Sequence, residues 1–177
     1  MSTLSITTIQ SHLHWEDKAA NLRMFEDKLR NLEEPTELVV LPEMFSTGFS
    51  MNPGRLAETM DGETIQWMKE MSSRYKIVLA GSVIIEDDGR FFNRFILMLP
   101  NGQCGTYDKR HRFAFAGETE HYTAGQKRCI ASVKGWRINL QVCYDLRFPV
   151  WSRQQLASDE KGLSPEFDVL IYVANWP

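Results

Sequence analysis

The sequence predicts a single α/β domain that occupies residues 1–177. Three observations indicate this class. Apolar segments of strand length alternate with amphipathic helical segments in the first half of the chain, a run of short strands separated by turn residues follows, and no repeat or linker interrupts the order. A chain of 177 residues is long enough for one domain with a sizeable core.

The first half of the chain alternates strands with helices. Apolar residues recur at three- and four-residue steps in the helical segments, and β-branched residues are frequent in the strands. In order, the predicted elements are a strand at residues 4–9, a helix at 16–32, a strand at 37–41, a polar loop at 46–55 and a helix that begins at Asp61 or Gly62.

The second half predicts a run of strands, because Gly and Asn punctuate its apolar segments. A late helix is expected from Pro149, since proline is tolerated in the first turn of a helix. In order, the predicted elements are strands at 77–85, 91–99 and 103–107, a hairpin formed by 130–133 and 136–142, a helix at 149–157, a polar loop at 158–166 and a strand at 168–173.

Composition excludes several classes of function. A net charge of −3 gives no electrostatic reason to bind nucleic acid. No apolar run approaches the ~20 residues that span a bilayer, and the first residues lack a signal-peptide pattern. The three cysteines, Cys104, Cys129 and Cys143, have no CxxC spacing, which argues against a disulfide framework and a zinc site. We therefore expect a cytoplasmic protein without cofactor, metal, membrane or nucleic-acid partner.

Three reactive side chains follow predicted strands. Glu43 lies after the second strand, Lys109 after residues 103–107, and Cys143 after 136–142. Ligand sites of open α/β proteins gather at strand ends, so the three side chains are candidates for one site.

Together these groups could cleave an amide. A thiol with a pKa of ~8.5 is mostly protonated at neutral pH, and Glu43 could accept its proton if burial raises the pKa of the carboxyl group. Lys109 and the backbone N–H of Tyr144 could stabilise the oxyanion of covalent catalysis. Each residue also has a commoner structural explanation, namely core packing for Cys143 and surface positions for Glu43 and Lys109.

Four segments resemble the carbon–nitrogen hydrolase (nitrilase) superfamily: LPEMFSTGFS, YDKRHRFAFAGETEHYTAG, LQVCYDLRFP and YVANWP. The resemblance implies a four-layer αββα sandwich, a Glu–Lys–Cys triad that corresponds to Glu43, Lys109 and Cys143, and a homodimer. It also implies that Glu118, in the GE pair, orients the lysine and assists the reaction.

The segment LPEMFSTGFSMNP is most similar to the omega-amidase branch of that superfamily. That branch hydrolyses the terminal amide of 2-oxoglutaramate or 2-oxosuccinamate to the 2-oxo acid and ammonia, and its bacterial members are associated with methionine salvage. The resemblance therefore implies a small amide as substrate. Another amide or nitrile substrate, acyl transfer to an amine, and a non-catalytic interaction module remain as alternatives.

A substrate of this kind carries a carboxylate remote from the amide, so its pocket needs a second cation. Arg147 is the candidate because a guanidinium binds a carboxylate with two hydrogen bonds. The open alternative is that Arg147 pairs with Asp145 or with an acidic neighbour on the helix, and Arg112 is a weaker candidate. The aromatic residues expected to line the pocket, unless they fill the core, are Phe45, Phe49, Tyr107, Phe115 and Tyr144.

The resemblance also implies that the usual C-terminal portion, which supplies further strands and a helix after Asn175-Trp176-Pro177, is missing from this chain. Unpaired sheet edges would then be exposed. Two explanations are open: the sequence is part of a longer protein, which we favour, or another chain complements it.

Overall fold

The computed structural model describes residues 3–159 and 162–176. Ten strands and five helices are assigned within these ranges, together with two 3-10 segments at Ala114–Ala116 and Cys143–Arg147. In chain order they are β1 (Ile6–Thr8), α1 (Lys18–Arg30), β2 (Leu38–Val40), α2 (Pro53–Leu56), α3 (Glu63–Tyr75), β3 (Val78–Asp87), β4 (Arg90–Met98), β5 (Cys104–Asp108), α4 (Glu118–His121), β6 (Ile130–Val133), β7 (Trp136–Val142), α5 (Pro149–Ser152), β8 (Leu156–Asp159), β9 (Gly162–Pro165) and β10 (Val169–Val173).

The first sheet is mixed and has the strand order β1-β2-β3-β4-β5. Its first three strands are parallel, because helices connect them, whereas turns join β3, β4 and β5 into an antiparallel meander. Helices α1 and α3 bury their apolar faces against one side of this sheet. The largest side chains of that core include Phe25, Phe45, Met68, Met71 and Leu79.

The second sheet has the order β10-β7-β6 and packs on the other side of the first. Side chains along β7 alternate between its two faces. Ile138, Leu140 and Val142 are fully buried between the sheets. Asn139 lies on the opposite face, where its Nδ2 donates to the carbonyl oxygen of Ser152 in α5 at 3.3 Å. The layers therefore run helix, sheet, sheet, helix, which confirms the predicted α/β sandwich.

The segment after β7 differs from the prediction. The predicted helix at 149–157 ends at Ser152, and β8 begins within its last two residues. Strands β8 and β9, which pair antiparallel, replace most of the predicted polar loop at 158–166; residues 160 and 161 of that prediction lie outside the described residues. The side chain of Gln154 accepts hydrogen bonds from the backbone N–H groups of Glu166 and Phe167 and donates to the carbonyl oxygen of Phe167. These bonds stabilise a hairpin whose polar sequence resembles a loop.

The sequence analysis also missed several short helical elements. Helix α2 lies inside the predicted loop at 46–55, with Pro53 at its first position, and α4 and the 3-10 segment Ala114–Ala116 lie in the stretch after β5. Each is too short to show a helical period. None of the helices in the described part of the chain has the length and apolar character needed to cross a bilayer.

Candidate active site

Four of the predicted residues meet in one buried site. Nζ of Lys109 lies 2.9 Å from Oε1 of Glu43 and 2.8 Å from Oε2 of Glu118. Glu43, Glu118 and Lys109 are at most 1% exposed, and Cys143 is 8% exposed. The ends of β2, β5 and β7 carry three of these residues to the same place, and α4 supplies the fourth.

Glu43 is held by the segment that follows β10. Its backbone N–H donates to the carbonyl oxygen of Ala174 at 3.3 Å, and its Oε2 accepts from the backbone N–H of Asn175 at 3.1 Å. Burial raises the pKa of the Glu43 carboxyl group above its ordinary value, and the ammonium of Lys109 offsets only part of that rise. Glu43 is thereby a stronger base than an exposed glutamate.

Cys143 is the first residue of the 3-10 segment Cys143–Arg147 and makes a sharp turn directly after β7. Its φ of 45° lies in the left-handed region, which is uncommon for a residue other than glycine and is found at functional sites. Burial first, and then the nearby Glu43 carboxylate, raise the pKa of the Cys143 thiol to about 12, although Lys109 opposes them. The resting group is a neutral thiol that needs a base, and the indole N–H of Trp176 donates to its sulfur.

Lys109 stays cationic despite its burial. Burial alone would lower the pKa of the ammonium, but the carboxylates of Glu43 and Glu118 outweigh it and hold the pKa above its ordinary value. An ammonium has three N–H donors, and the two carboxylates take two of them. Nζ also lies 5.2 Å from the ring centroid of Phe49, and its third N–H has no hydrogen-bond acceptor among the described residues.

A second buried network anchors the turn that carries the thiol. Asp145, fully buried, accepts from the hydroxyl of Tyr107 at 2.8 Å, the backbone N–H of Val142 at 3.1 Å and the backbone N–H of His111 at 2.9 Å. The Nδ1 atom of His111 also lies 2.8 Å from Oδ1 of Asp145. Asp145 thus fastens the Cys143 turn to the backbone two residues beyond Lys109.

A cavity of about 410 Å³ opens beside the thiol. This volume is within the range of small-ligand sites, roughly 300–1,000 Å³. The guanidinium of Arg147 lies 5.6 Å from the ring centroid of Trp176 at this cavity, and no carboxylate in the described ranges pairs with Arg147, because Asp145 is taken by the network above. The lining residues are Phe49, Phe113, Ala116, Cys143, Tyr144, Arg147, Asn175 and Trp176.

Several predicted pocket residues lie elsewhere. Phe45 is fully buried on the helix side of the first sheet, 5.6 Å from the ring of Phe25, so its assignment to the pocket is wrong. Tyr107 belongs to the Asp145 network and does not line the cavity. Phe115 is 89% exposed. The weaker candidate Arg112 donates to the carbonyl oxygen of Tyr122 at 2.8 Å.

Sequence reasoning missed several residues of the site. Asn93 on β4 donates to Glu43, Trp176 contacts the sulfur, and Phe113 lines the cavity. A signal was present for Asn93, because an uncharged polar residue inside the buried, apolar strand FFNRFILM needs a partner.

A neutral thiol beside a carboxylate–ammonium–carboxylate group, set between the layers of an αββα sandwich, defines the class of site and fold. The chain belongs to the carbon–nitrogen hydrolase family, whose sequence model matches residues 5–162.

Two relatives and one solved structure extend the comparison. The chain is 46% identical over 179 residues to omega-amidase YafV of Yersinia enterocolitica, with 100% of this chain and 65% of that protein covered. It is 27% identical to the 2-oxoglutaramate amidase of Bacillus subtilis, with 98% and 65% covered. A crystal structure of a CN-hydrolase superfamily protein from Xanthomonas campestris, which has an arsenic adduct in its active site, superimposes with a TM-score of 0.94 at 41% identity, covering 100% and 66%. The chain thus spans 65% of the length of both relatives.

Proposed function

We propose that the protein is a thiol-dependent amidase that hydrolyses the terminal amide of a small 2-oxo dicarboxylate monoamide, such as 2-oxoglutaramate or 2-oxosuccinamate. The observation that carries the proposal is the contact of Lys109 with both Glu43 and Glu118 beside the Cys143 thiol. Each group has a place in amide cleavage, and the thiol of Cys143 lines the cavity.

In the first half of the reaction, Glu43 accepts the proton of the Cys143 thiol and the sulfur attacks the amide carbon. The carbonyl oxygen becomes an oxyanion. Its donors are the third N–H of Lys109 and the backbone N–H of Tyr144, which lies in the first turn of a 3-10 segment, where N–H groups lack an intrahelical partner. Glu43 then gives its proton to the leaving nitrogen, and ammonia departs from a thioester.

In the second half, Glu43 accepts a proton from water and the resulting hydroxide attacks the thioester. The carbon–sulfur bond breaks, and the sulfur takes the proton back from Glu43. The products are the 2-oxo acid and the free thiol, so the site returns to its starting state. Throughout, Glu118 keeps the ammonium of Lys109 in place at 2.8 Å.

Recognition of the substrate depends on one cation in a mostly aromatic cavity. Arg147 lies at the cavity with its guanidinium over the Trp176 ring and without a carboxylate partner among the described residues. A carboxylate at the far end of the substrate would supply that partner and orient the amide towards Cys143. The names of the relatives, an omega-amidase and a 2-oxoglutaramate amidase, support this substrate class.

The test is ammonia release from 2-oxoglutaramate, glutaramate, asparagine and simple nitriles. We expect the 2-oxo acid amide to react fastest and Cys143→Ala to release none. Cys104→Ala and Cys129→Ala are the matched controls and should react like the wild type. Equal rates with all amides would remove the omega-amidase assignment, and substantial hydrolysis by Cys143→Ala would contradict covalent catalysis.

A further inference from the structure

The side chain of Asn93 lies between the two carboxylates of the site. Asn93 is 1% exposed, and its Nδ2 donates to Oε1 of Glu43 at 2.8 Å and to Oε1 of Glu118 at 3.3 Å. An amide nitrogen has two N–H donors, so the two carboxylates use both. The opposite orientation would place the amide oxygen against two acceptors, which fixes the way the side chain points.

The donors of Asn93 and Lys109 converge on the same oxygen of Glu43. Oε1 accepts from Asn93 Nδ2 at 2.8 Å and from Lys109 Nζ at 2.9 Å. Oε2 accepts from the backbone N–H of Asn175 at 3.1 Å and from no further protein donor among the described residues. A carboxylate oxygen has two lone-pair sites, so Oε1 is filled whereas Oε2 keeps one site.

We propose that Asn93 is a positioning residue that bridges Glu43 and Glu118 and leaves Oε2 of Glu43 as the oxygen that receives the Cys143 proton. In this step the S–H bond breaks, an O–H bond forms on Oε2, and the negative charge passes from the carboxylate to the sulfur. The inference rests on the proposed function, since it specifies the atom that serves as base. Asn93 acts through its two neighbours and is not placed against the substrate.

The charges around Glu43 explain why the side-chain amide of Asn93 is needed to keep Glu43 ionised. The groups that face Glu43 are Lys109 beyond β5, Glu118 and Tyr122 at the ends of α4, and Cys143 beyond β7. One ammonium serves two carboxylates, each of which also accepts one backbone N–H, from Asn175 to Glu43 and from Phe113 to Glu118. Asn93 is the side chain that donates to both carboxylates besides Lys109. Without them, ionised Glu43 loses a hydrogen bond and feels more of the Glu118 charge, and both effects favour its protonated form. Glu43 and Cys143 titrate as a coupled pair, and the thiol can react once the pair has lost one proton. Without Asn93 the pair loses that proton at higher pH.

The test is the pH dependence of Cys143 alkylation by iodoacetamide, read by peptide mass spectrometry from about pH 5 to about pH 10. The acid limb is the part of the curve in which the alkylation rate rises with pH. We expect its midpoint to rise by about 1 pH unit in Asn93→Ala, and by more in Asn93→Asp because a third carboxylate joins the site. An unchanged midpoint in either folded variant would overturn the proposal.

Asn21 is the matched control. It is also a fully buried asparagine, and its Nδ2 also bridges two acceptors, the carbonyl oxygens of His14 at 2.7 Å and Ser46 at 3.0 Å. Asn21→Ala and Asn21→Asp should lower stability as much as the Asn93 variants do and leave the acid limb in place. The same shift in the Asn21 variants would reduce Asn93 to a purely structural role and overturn the proposal.

Two further measurements distinguish the remaining outcomes. If neither Asn93 variant folds, the side-chain amide resonances of Asn93 in the wild type should shift with the same midpoint as the alkylation rate, and resonances that do not move would overturn the proposal. Alkylation needs no substrate, so it is independent of turnover. If the protein releases no ammonia from any amide but the alkylation midpoint shifts in the Asn93 variants, the role of Asn93 stands and the proposed function is wrong. If the protein hydrolyses the amide but the midpoint does not move, only the role of Asn93 is wrong.

Discussion

Nζ of Lys109 lies 2.8 Å from Oε2 of Glu118, and the two side chains are 1% and 0% exposed. Glu43 contacts the same ammonium from another side at 2.9 Å. Buried charges are tolerated only when they are paired, and removal of one partner leaves the others uncompensated. The proposed catalysis and the stability of the fold therefore depend on the same side chains, and each variant should be measured for both.

Replacement of the cation tests that coupling. Lys109→Met leaves two buried carboxylates without their ammonium, so we expect a loss of about 3–5 kcal/mol in the free energy of unfolding and a fall in turnover of at least about 100-fold, because an oxyanion donor is gone. Urea unfolding and ammonia release measure the two effects. The exposed Lys127→Met is the control and should stay within about 0.5 kcal/mol of the wild type; an equally small change in Lys109→Met would show that the buried pairs are not formed.

Arg147 should affect charged substrates selectively. A hydrogen bond to a charged group contributes about 1.5–3 kcal/mol, so Arg147→Leu should lower kcat/KM for 2-oxoglutaramate by roughly 10- to 100-fold. A neutral amide such as butyramide should be hydrolysed at nearly the wild-type rate. The measurement is kcat/KM for both amides in Arg147→Leu and in the control Arg153→Leu, whose exposed side chain does not line the cavity. An equal loss for both amides would contradict recognition of a carboxylate.

Asp145 should affect the reactivity of the Cys143 thiol by holding the turn that carries it. In Asp145→Asn an amide nitrogen replaces one of two acceptor oxygens, so it must face the donor of Tyr107, Val142 or His111. We expect a loss of about 1–3 kcal/mol of stability and slower alkylation of Cys143, because the turn that carries the sulfur loses its anchor. The exposed Asp61→Asn is the control. Alkylation at the wild-type rate would mean that the turn keeps its shape without the network.

The thiol itself makes stability depend on pH. The ordinary pKa of the thiol is 9.0, and burial raises the pKa to about 12 in the folded protein. A pKa raised by folding contributes stability that is present below pH 9 and is lost as the pH rises towards 12, because the unfolded chain ionises first. Between about pH 7.5 and 10.5, the wild type should lose about 2 kcal/mol more than Cys143→Ser, which has no thiol to ionise. Parallel losses in urea unfolding would show that the folded thiol has an ordinary pKa.

Much of the fold follows from local patterns. The two long helices and the strands from 77 to 142 lie within a few residues of their predicted limits, because their apolar periodicity reflects a single buried face. The hairpin of β8 and β9 was missed because backbone pairing and the Gln154 side chain hold it together, and neither leaves an apolar pattern.

Some residues of the site could likewise be predicted from local patterns, and others could not. Glu43, Lys109 and Cys143 could be predicted to lie together, because each follows a strand and lies in a segment that resembles the family. The sequence signals that Asn93 needs a partner but does not identify Glu43 as that partner. Asn93 shares the inter-sheet face of β4 with Phe95, and the register of β4 with β3 and β5 brings it to Glu43. Phe45 was misplaced for the converse reason, since its ring turns to the helices.

The thioester is the central claim, and trapping it is the most direct test. The protein is mixed with 2-oxoglutaramate, quenched in acid within a turnover, digested and examined by mass spectrometry. The account predicts that the acyl group of the substrate, without its amide nitrogen, is attached to the peptide that contains Cys143 and to neither of the peptides that contain Cys104 and Cys129. Steady ammonia release with no acyl group on Cys143 at any quench time would contradict it.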